Sequence, residues 1–384
     1  MNGLAARVAE FRESAGLARE QTGKPLLTQL REIRALRRIG GECGATDYYR
    51  YRLYDESWLL GRGAPDFMGW RLQTRFSLAL NPRNVVLPAW DKLAFTVIAS
   101  AAGLPVAPIR ACYRPGSRHP NVLGAHLASP EAVAEFLRDP SVFPLFGKPA
   151  YSQQGYGAAH LESYDSASDS FALADGKRLP VREFLERLTQ SCDARYHRPE
   201  AGYLFQQPLR VAPEIAALTD WPALCSVRIV CTNEPGRVTP IRAVWKVAVR
   251  PNHVDNFSLG TKGNLIGDID LATGEVSRMV DGFWPATQTQ PLHPTSGKPF
   301  AGFRLPGWSD VLGCCEQAGS VFPLMGVHHW DIALTDRGPM MLELNDIGAT
   351  EMLQVHGRGL LTAQTRSFLK RRANRNAHPW VDAL

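Results

Sequence analysis

The sequence predicts an α+β protein that begins with helices and continues, from about residue 85, with strands and shorter helices. In the first helix, apolar residues recur at helical spacing, on a stripe that includes Leu4, Val8 and Phe11. Beyond residue 140, short apolar-rich runs alternate with Gly-, Pro- and Asn-containing turns, which is typical of strands. The clearest of these runs are 330–334 and 340–344, which predict a β-hairpin.

Length and composition set the broad class. A chain of 384 residues is too long for one compact core and predicts two or three domains. Its 45% hydrophobic and 21% charged residues are typical of a globular protein, and no apolar run is long enough to predict a membrane span or a secretory signal. Seven cysteines without C-x-x-C spacing favour reduced thiols, so we expect a cytoplasmic protein. The net charge of +6 fits anionic small molecules as well as nucleic acid.

Two N-terminal features leave more than one interpretation open. The second predicted helix has a basic face, which fits either a solvated surface or an anionic partner, and it is formed by Arg31, Arg34, Arg37 and Arg38. The aromatic and basic segment 47–58 fits a packed helix or a stacking platform for nucleic acid. Because no RNA-binding motif accompanies it, we favour the packed helix.

Two lysines lie at the ends of predicted elements, in places where an anion could bind. Residues 85–90 predict a strand, and Asp91 is placed to cap a helix that runs to Ala102, with Lys92 in its first turn. There a cation opposes the helix dipole, which indicates an anionic ligand or a solvated side chain. Lys148 ends a predicted strand and is followed by a loop that contains Gly155 and Gly157. Such a loop forms either a phosphate-binding nest or an ordinary hairpin turn.

The segment 203–250 predicts a hinge and two strands. Pro208 interrupts the first strand, which leaves backbone groups of Gln207 and Leu209 for a ligand such as an adenine edge. Residues 224–233 and 238–250 are predicted strands. On the second strand cations recur at every fourth residue, so we expect one face to carry Arg242, Lys246 and Arg250. Such a face lines either solvent or an anion site.

The hairpin over 328–350 carries an acidic set. If residues 336–338 form a three-residue loop, Thr335 faces Pro339, and Asp331 lies directly opposite Glu343 with Asn345 on the same face. Two facing carboxylates repel one another unless a cation lies between them. An Asp, Glu and Asn oxygen set suits Mg²⁺ bound to phosphates, and a solvated acidic pair is the alternative.

In this order the lysines, the glycine loop, the Gln-Gln-Pro-Leu hinge, the arginine strand and the E-L-N hairpin resemble the ATP-grasp superfamily. The sequence is most similar to the sugar-transfer-associated ATP-grasp family, whose members also have a helical, tyrosine-rich N-terminal region. The resemblance implies a helical region at 1–84, a lid-bearing ATP-grasp subdomain at 85–205 and a second subdomain with the metal site at 206–384. ATP would be clamped between these two α+β subdomains.

The resemblance also implies roles for single residues. The two lysines, Lys92 and Lys148, would hold the α- and β-phosphates of ATP beneath a lid that contains Gly155 and Gly157. The remaining nucleotide contacts would come from Gln207, Leu209, Glu214 and Asn256, of which Glu214 would bind the ribose. Mg²⁺ would be bound by Asp331, Glu343 and Asn345. The catalytic cations would be Arg228, which resembles the arginine of the D-x-R strand in ribosomal-protein glutamate ligases, and Lys246 and Arg250.

Two departures from the family pattern concern the substrate side of the site. The paired glycines of related ligases are split here by Thr261-Lys262, and His329 stands where those ligases often have arginine. The implied reaction joins a small-molecule carboxylate to an amine through an acyl phosphate. A small-molecule or sugar kinase would use the same nucleotide site, whereas a nucleic-acid-binding protein would not need it. The oligomeric state stays open.

Overall fold

The computed structural model describes residues 2–119, 123–153, 155–190, 197–285, 287–374 and 376–384. Helices come first along the chain, as the sequence predicts, and the α+β class is confirmed. The α-helices in the described residues are α1 (Asn2–Thr22), α2 (Leu26–Leu36), α3 (Ala45–Arg50), α4 (Trp70–Leu80), α5 (Leu87–Trp90), α6 (Lys92–Ala101), α7 (Pro130–Arg138), α8 (Val181–Thr189), α9 (Pro213–Thr219), α10 (Trp308–Val321), α11 (Thr350–Gln354) and α12 (Ala363–Arg372).

The strands form two sheets, each of seven strands within the described residues. The first sheet has the order β2-β1-β7-β3-β4-β5-β6. Its strands are β1 (Ile109–Tyr113), β2 (Ala125–Leu127), β3 (Leu145–Pro149), β4 (Ala159–Asp165), β5 (Ser170–Leu173), β6 (Arg178–Pro180) and β7 (Tyr203–Gln206). Lys148 therefore lies near the end of β3, a central strand of this sheet.

The second sheet has the order β12-β11-β10-β9-β8-β13-β14. Its strands are β8 (Ser226–Glu234), β9 (Arg237–Val247), β10 (Leu265–Ile269), β11 (Val276–Asp281), β12 (Gln288–Thr289), β13 (Val327–Thr335) and β14 (Gly338–Asn345). The strand pairs are all antiparallel. The predicted hairpin is thus β13 and β14, and it forms one edge of the sheet.

Both faces of the second sheet are covered, although by different elements. One face, which includes the fully buried Trp245 and Trp330, packs against α6, α9 and α10. The other face carries Val230 and Val244, which pack against α4 and α12 through Leu72 and Phe368. The N-terminal and C-terminal regions therefore cover part of the face that also carries the charged residues described below.

Two predicted elements differ from the structure, which also adds two strands that the sequence analysis does not predict. Residues 87–90 form the short helix α5 instead of a strand, because Pro88 fits the first turn of a helix, where no amide is needed. The connection over 166–200 contains the strands β5 and β6, which extend one edge of the first sheet. Strand β9 ends at Val247, before Arg250.

Six of the seven cysteines lie in the described residues, where they are buried and form no disulfide bond, namely Cys43, Cys112, Cys225, Cys231, Cys314 and Cys315. Cys192 lies outside the described residues. No helix in the described part of the chain is both long and apolar enough to cross a bilayer.

Candidate active site

The hairpin has the predicted pairing of Asp331 with Glu343, but its turn differs from the prediction. Thr335 pairs with Gly338, not with Pro339, so the predicted three-residue loop is wrong and the loop contains only Asp336 and Arg337. Gly338 supplies a φ of +92°, which side chains other than glycine rarely adopt. A β-bulge between Asp331 and Ile332 then shifts the register by one residue, and Asp331 faces Glu343 as predicted.

The centre of the site is the carboxylate of Asp331. It also faces Arg228 on the other neighbouring strand, β8. Both carboxylate oxygens are used: Arg228 Nε donates to Asp331 Oδ1, and Arg228 Nη2 donates to Oδ2 at 2.6 Å. Lys246 Nζ on β9 donates to the same Oδ2 at 3.2 Å. A bidentate pair with a second cation holds three neighbouring strands in one charged cluster.

The cluster keeps all three of its members ionised. Burial alone would raise the pKa of Asp331, but the charges of Arg228 and Lys246 hold that pKa well below its usual range. Burial lowers the pKa of Lys246, yet the carboxylates of Asp255 and Asp331 raise it above the usual lysine value. Each charge is therefore stabilised by its partners in a place where it would be unfavourable alone.

Glu343 and Asn345 lie beside this cluster and are more accessible. The side chain of Glu343 is 31% exposed, against 5% for Asp331, and Glu343 Oε1 is 4.0 Å from Arg228 Nη2. Asn345 Nδ2 donates to the same Oε1 at 3.3 Å, so the two side chains point to one place. These oxygens fit a divalent cation. Asp331 does not fit as a third ligand in this arrangement, because both its oxygens are bound by Arg228 and Lys246.

Two lysines approach the hairpin from the side of the first sheet. Asp91 accepts hydrogen bonds from the amides of Leu93 and Ala94 and so caps α6, which places Lys92 in the first turn. Lys92 Nζ donates to the carbonyl oxygen of Ser152 at 2.5 Å. Lys148 Nζ donates to the carbonyl oxygen of Leu342, the extra residue of the bulge, at 3.4 Å. The bulge thus brings the two sheets together at this lysine.

The charge of Lys92 acts electrostatically on Lys148. Burial and the charge of Lys92 together lower the pKa of Lys148 to about 8, against the opposite effect of Glu343. Burial also lowers the pKa of Lys92, against the charges of Glu343 and Asp91. Burial disfavours the charge of both lysines, and neither ammonium donates a hydrogen bond to a carboxylate in the described part of the chain, so an anionic ligand would stabilise them.

The glycine loop joins β3 to β4 beside these lysines. Gln154 lies outside the described residues, whereas Gly155 and Gly157 have φ angles of +75° and +74°. The carbonyl oxygen of Gly157 accepts a hydrogen bond from the Tyr203 hydroxyl at 2.8 Å. A Cβ atom at residue 157 would lie 2.8 Å from Pro149 Cγ, so this position requires glycine.

The remaining predicted nucleotide contacts differ in exposure and in whether their polar groups already have hydrogen-bond partners. The amide of Gln207 donates to the carbonyl oxygen of Pro108 at 2.9 Å, so it is already paired. Leu209 is half-buried, and Glu214 is exposed in the first turn of α9. Asn256 Oδ1 accepts from the amide of Ser258 at 3.2 Å.

Arg250 does not share the face of Arg242 and Lys246. It lies beyond the end of β9, is exposed, and stacks over the Trp221 ring at 5.2 Å from its centroid. The periodicity argument failed here because it assumed that the strand continues through residue 250. Arg242 does lie on the expected face, but it pairs with Asp268 at 3.5 Å, away from Asp331.

Sequence reasoning missed three residues of the site. Asp255 lies in the loop after β9, and its Oδ1 is 3.9 Å from Lys246 Nζ. Trp90 donates from Nε1 to Asp346 Oδ2 at 3.2 Å and stacks on Tyr151 of the glycine loop, with ring centroids 5.8 Å apart. The position of Asp346 directly after the E-L-N motif was an available signal, whereas the contacts of Trp90 and Asp255 depend on tertiary structure.

We predict that Asp331→Asn lowers the free energy of unfolding by about 3 kcal/mol at neutral pH, because Arg228 and Lys246 lose their counter-charge in a buried place. The pKa of Asp331 is depressed in the folded state, so its contribution is present above the unfolded value of about 3.9 and fades as the pH falls below it. Urea denaturation of both proteins at several pH values measures the difference.

The control is Asp175→Asn, which alters a surface pair with Lys177. We expect this variant to stay within about 0.5 kcal/mol of the wild type. Equal stability of Asp331→Asn and the wild type at neutral pH would contradict the role of Asp331 as the anchor of the cluster.

Comparison with solved structures finds weak likenesses. An L-amino acid ligase from Bacillus licheniformis matches with 10% identity over 70% of this chain and 43% of that chain, at a TM-score of 0.35. A biotin carboxylase from Campylobacter jejuni matches with 11% identity over 74% of this chain and 50% of that chain, at 0.41. This chain therefore spans about half the length of the solved chains. No curated protein matches it.

A family comparison is more informative than these structural matches. The model of the sugar-transfer associated ATP-grasp family matches residues 71–368, which is well over half of the 384 residues. The matched range includes both lysines, the glycine loop, the hinge and the hairpin. The resemblance found in the sequence is confirmed, and the chain belongs to the sugar-transfer associated ATP-grasp family.

Proposed function

We propose that this protein is an ATP-dependent, ADP-forming ligase that joins a small-molecule carboxylate to an amine through an acyl phosphate. The observation that carries the proposal is the placement of two pairs of cations around one hairpin. Lys92 and Lys148 come from the side of the first sheet, and Arg228 and Lys246 come from the second sheet. Glu343 acts electrostatically on all four of these groups.

In this proposal the first pair binds the nucleotide. Lys92 and Lys148 hold phosphate oxygens of ATP, and the glycine loop covers them with its amides. Because the Gln207 amide is bound to Pro108, the adenine edge meets the carbonyl oxygen of Gln207 and the amide of Leu209. Glu214 and Asn256 would complete the nucleotide contacts.

Glu343 and Asn345 would hold Mg²⁺, whose role is to neutralise charge on the phosphates. Asp331 could contribute an oxygen only if Arg228 released one. Its role in the present arrangement is to fix the direction of two cations. This division explains why Asp331 is buried while Glu343 is accessible.

The second pair of cations serves the acyl phosphate. When a substrate carboxylate attacks the γ-phosphorus, the product has a new anionic group that needs its own partners. The N–H groups of Arg228 that do not bind Asp331, together with the ammonium of Lys246, supply them, and Asp331 already positions both side chains. An amine then displaces phosphate and forms the amide. The closed glycine loop excludes water, which would otherwise hydrolyse the intermediate.

The expected partners are small molecules, namely one carboxylate and one amine. A cytosolic location fits the six buried cysteines, which form no disulfide bond in the described residues. We also propose domain boundaries near residues 84 and 205, which place all strands of the first sheet except the end of β7 in the lid-bearing subdomain.

We predict that Lys148→Ala weakens ATP binding by about 10- to 100-fold, since a charge-assisted hydrogen bond contributes about 1.5–3 kcal/mol. Because the pKa of Lys148 is about 8, the affinity of the wild type should fall as the pH rises above that value. The variant should lose this part of the pH dependence. Calorimetric titration with Mg²⁺–ATP measures both effects.

The exposed Lys177 provides the control, and Lys177→Ala should bind ATP as the wild type does. Unchanged affinity of Lys148→Ala would remove this lysine from the nucleotide site.

Product analysis tests the reaction itself. With candidate acids and amines together, a ligase forms ADP, inorganic phosphate and an amide, and turnover is low when the amine is omitted. A kinase instead forms ADP and a stable phosphoester with one acceptor. Phosphorus NMR and mass spectrometry distinguish these products. A phosphoester formed without an amine would overturn the ligase assignment and favour the kinase.

A further inference from the structure

We propose that Asp255 is the general base that accepts the proton of the attacking amine in the second half-reaction. This inference rests on the proposed ligase function and adds a residue that the family resemblance did not supply. It is carried by the way one oxygen of Asp255 is fixed while the other faces the cluster of Lys246, Asp331 and Arg228.

The loop that carries Asp255 is held rigidly by a buried amide. Asn264 is fully buried, and its Nδ2 donates to the carbonyl oxygens of Val254 and Asn256 at 2.8 and 2.9 Å. These two carbonyls flank Asp255 on both sides along the chain. The Oδ1 of Asn264 accepts from the amide of Val249 and from the side chain of Asn252. The backbone around Asp255 is therefore fixed before any substrate binds.

The carboxylate is oriented by one serine of β8. Asp255 Oδ2 accepts the amide of Ser226 at 2.7 Å and its hydroxyl at 2.5 Å. These two hydrogen bonds from a single residue fix the carboxylate plane. Ser226 pairs directly with Lys246 on β9, so the orienting group is part of the same sheet as the cluster.

The second carboxylate oxygen of Asp255, Oδ1, is available to accept a proton. Asp255 Oδ1 is 3.9 Å from Lys246 Nζ, which is too far for a hydrogen bond. The same Nζ donates to Asp331 Oδ2, which also receives Arg228. Within the described residues, Oδ1 of Asp255 accepts no hydrogen bond. In the proposal this oxygen lies beside the acyl phosphate that Lys246 and Arg228 stabilise.

Electrostatics support this role. Burial raises the pKa of Asp255, Lys246 and the hydrogen bonds of Ser226 lower it, and the charge of Asp331 raises it again. The result is a pKa above the usual aspartate value, which makes the carboxylate a stronger base. Besides Lys246 and Asp331, the groups that face it are Arg228 on β8 and the buried thiol of Cys225.

Other side chains near the cluster fit the task less well. Both oxygens of Asp331 are bound, and Glu343 faces the nucleotide lysines. His329 is buried and its ring touches Gly348, where a Cβ atom would lie 2.0 Å from Nδ1. Burial and Arg228 lower the pKa of His329 to about 3, so it is a weak base.

The step is balanced as follows. The amine nitrogen forms a bond to the acyl carbon, and the carbon–oxygen bond to the phosphoryl group breaks. Phosphate leaves with the electron pair of that bond, while Arg228 and Lys246 stabilise its charge. The proton that the nitrogen loses passes to Asp255 Oδ1 and from there to solvent. No further reagent is needed.

The test compares a nucleophile that needs a base with one that does not. The carboxylate probe is a panel of L-amino acids and sugar acids, and the nucleophiles are the panel's own amino groups and hydroxylamine. Hydroxylamine is a weak base and is neutral at pH 7.5, so it traps acyl phosphates without help. For Asp255→Asn we expect amide formation to fall by about 10²- to 10⁴-fold, while hydroxamate formation stays near the wild-type rate.

Three variants separate a base from a structural residue. Asp255→Glu should regain part of the amide activity, because it restores a carboxylate. Ser226→Ala should lose less than Asp255→Asn, because the amide of residue 226 still orients the carboxylate. Asp175→Asn, on the surface, should match the wild type. The acid limb of kcat/KM should disappear in Asp255→Asn.

The outcomes separate this inference from the function on which it rests. A wild type that forms neither amide nor hydroxamate overturns the ligase function, and the role of Asp255 falls with it. A wild type that forms both products, with Asp255→Asn losing both equally, leaves the ligase intact and overturns the base. Full amide activity of Asp255→Asn overturns the base as well.

Discussion

One buried carboxylate determines how this site is built. Asp331 lies at the centre of a sheet face and receives hydrogen bonds from Arg228 on one neighbouring strand and from Lys246 on the strand beyond. None of these three charges would be favourable there alone, since removing one partner of a buried pair typically costs several kcal/mol. The strands must therefore keep their register for the charges to stay paired. These hydrogen bonds also hold the side chains of Arg228 and Lys246 in fixed orientations before a ligand binds.

The meeting of the two sheets depends on a local irregularity. The bulge at Leu342 restores the pairing of Asp331 with Glu343 and also presents a carbonyl oxygen to Lys148 of the first sheet. Nearby, Trp90 joins Asp346 at the end of β14 to Tyr151 of the glycine loop. A site that needs groups from both sheets thus has one direct contact between the sheets and a second link through Trp90.

The sequence predicted the parts of the site that follow from local patterns. The cap at Asp91, the strand that ends near Lys148 and the opposition of Asp331 and Glu343 follow from spacing and alternation. The predicted opposition of Asp331 and Glu343 assumed a turn that was one residue too long. The bulge, which was not predicted, shifts the register by one residue and so compensates for this error. A bulge depends on the neighbouring strand and leaves no pattern in the hairpin itself.

The failures have tertiary causes. The periodicity of cations on β9 suggested a role for Arg250, but the strand ends at Val247 and the arginine stacks on Trp221. The pairing of Asp331 with Arg228 joins residues about a hundred positions apart, and so the sequence indicated a cation between carboxylates where the structure has an ion pair. Asp255 was overlooked because only the fold brings its loop to Ser226 and Lys246.

The most direct measurement on this account is the turnover of Arg228→Lys. This variant keeps a positive charge beside Asp331 but loses the fork that can bind two oxygens at once. ADP release is measured with the carboxylate panel and hydroxylamine, and ATP affinity is measured by calorimetry. The account predicts a loss in kcat on the order of 10²- to 10³-fold, with unchanged ATP affinity and an intact fold. Wild-type kcat in Arg228→Lys would contradict the claim that the Asp331 cluster is the reacting centre.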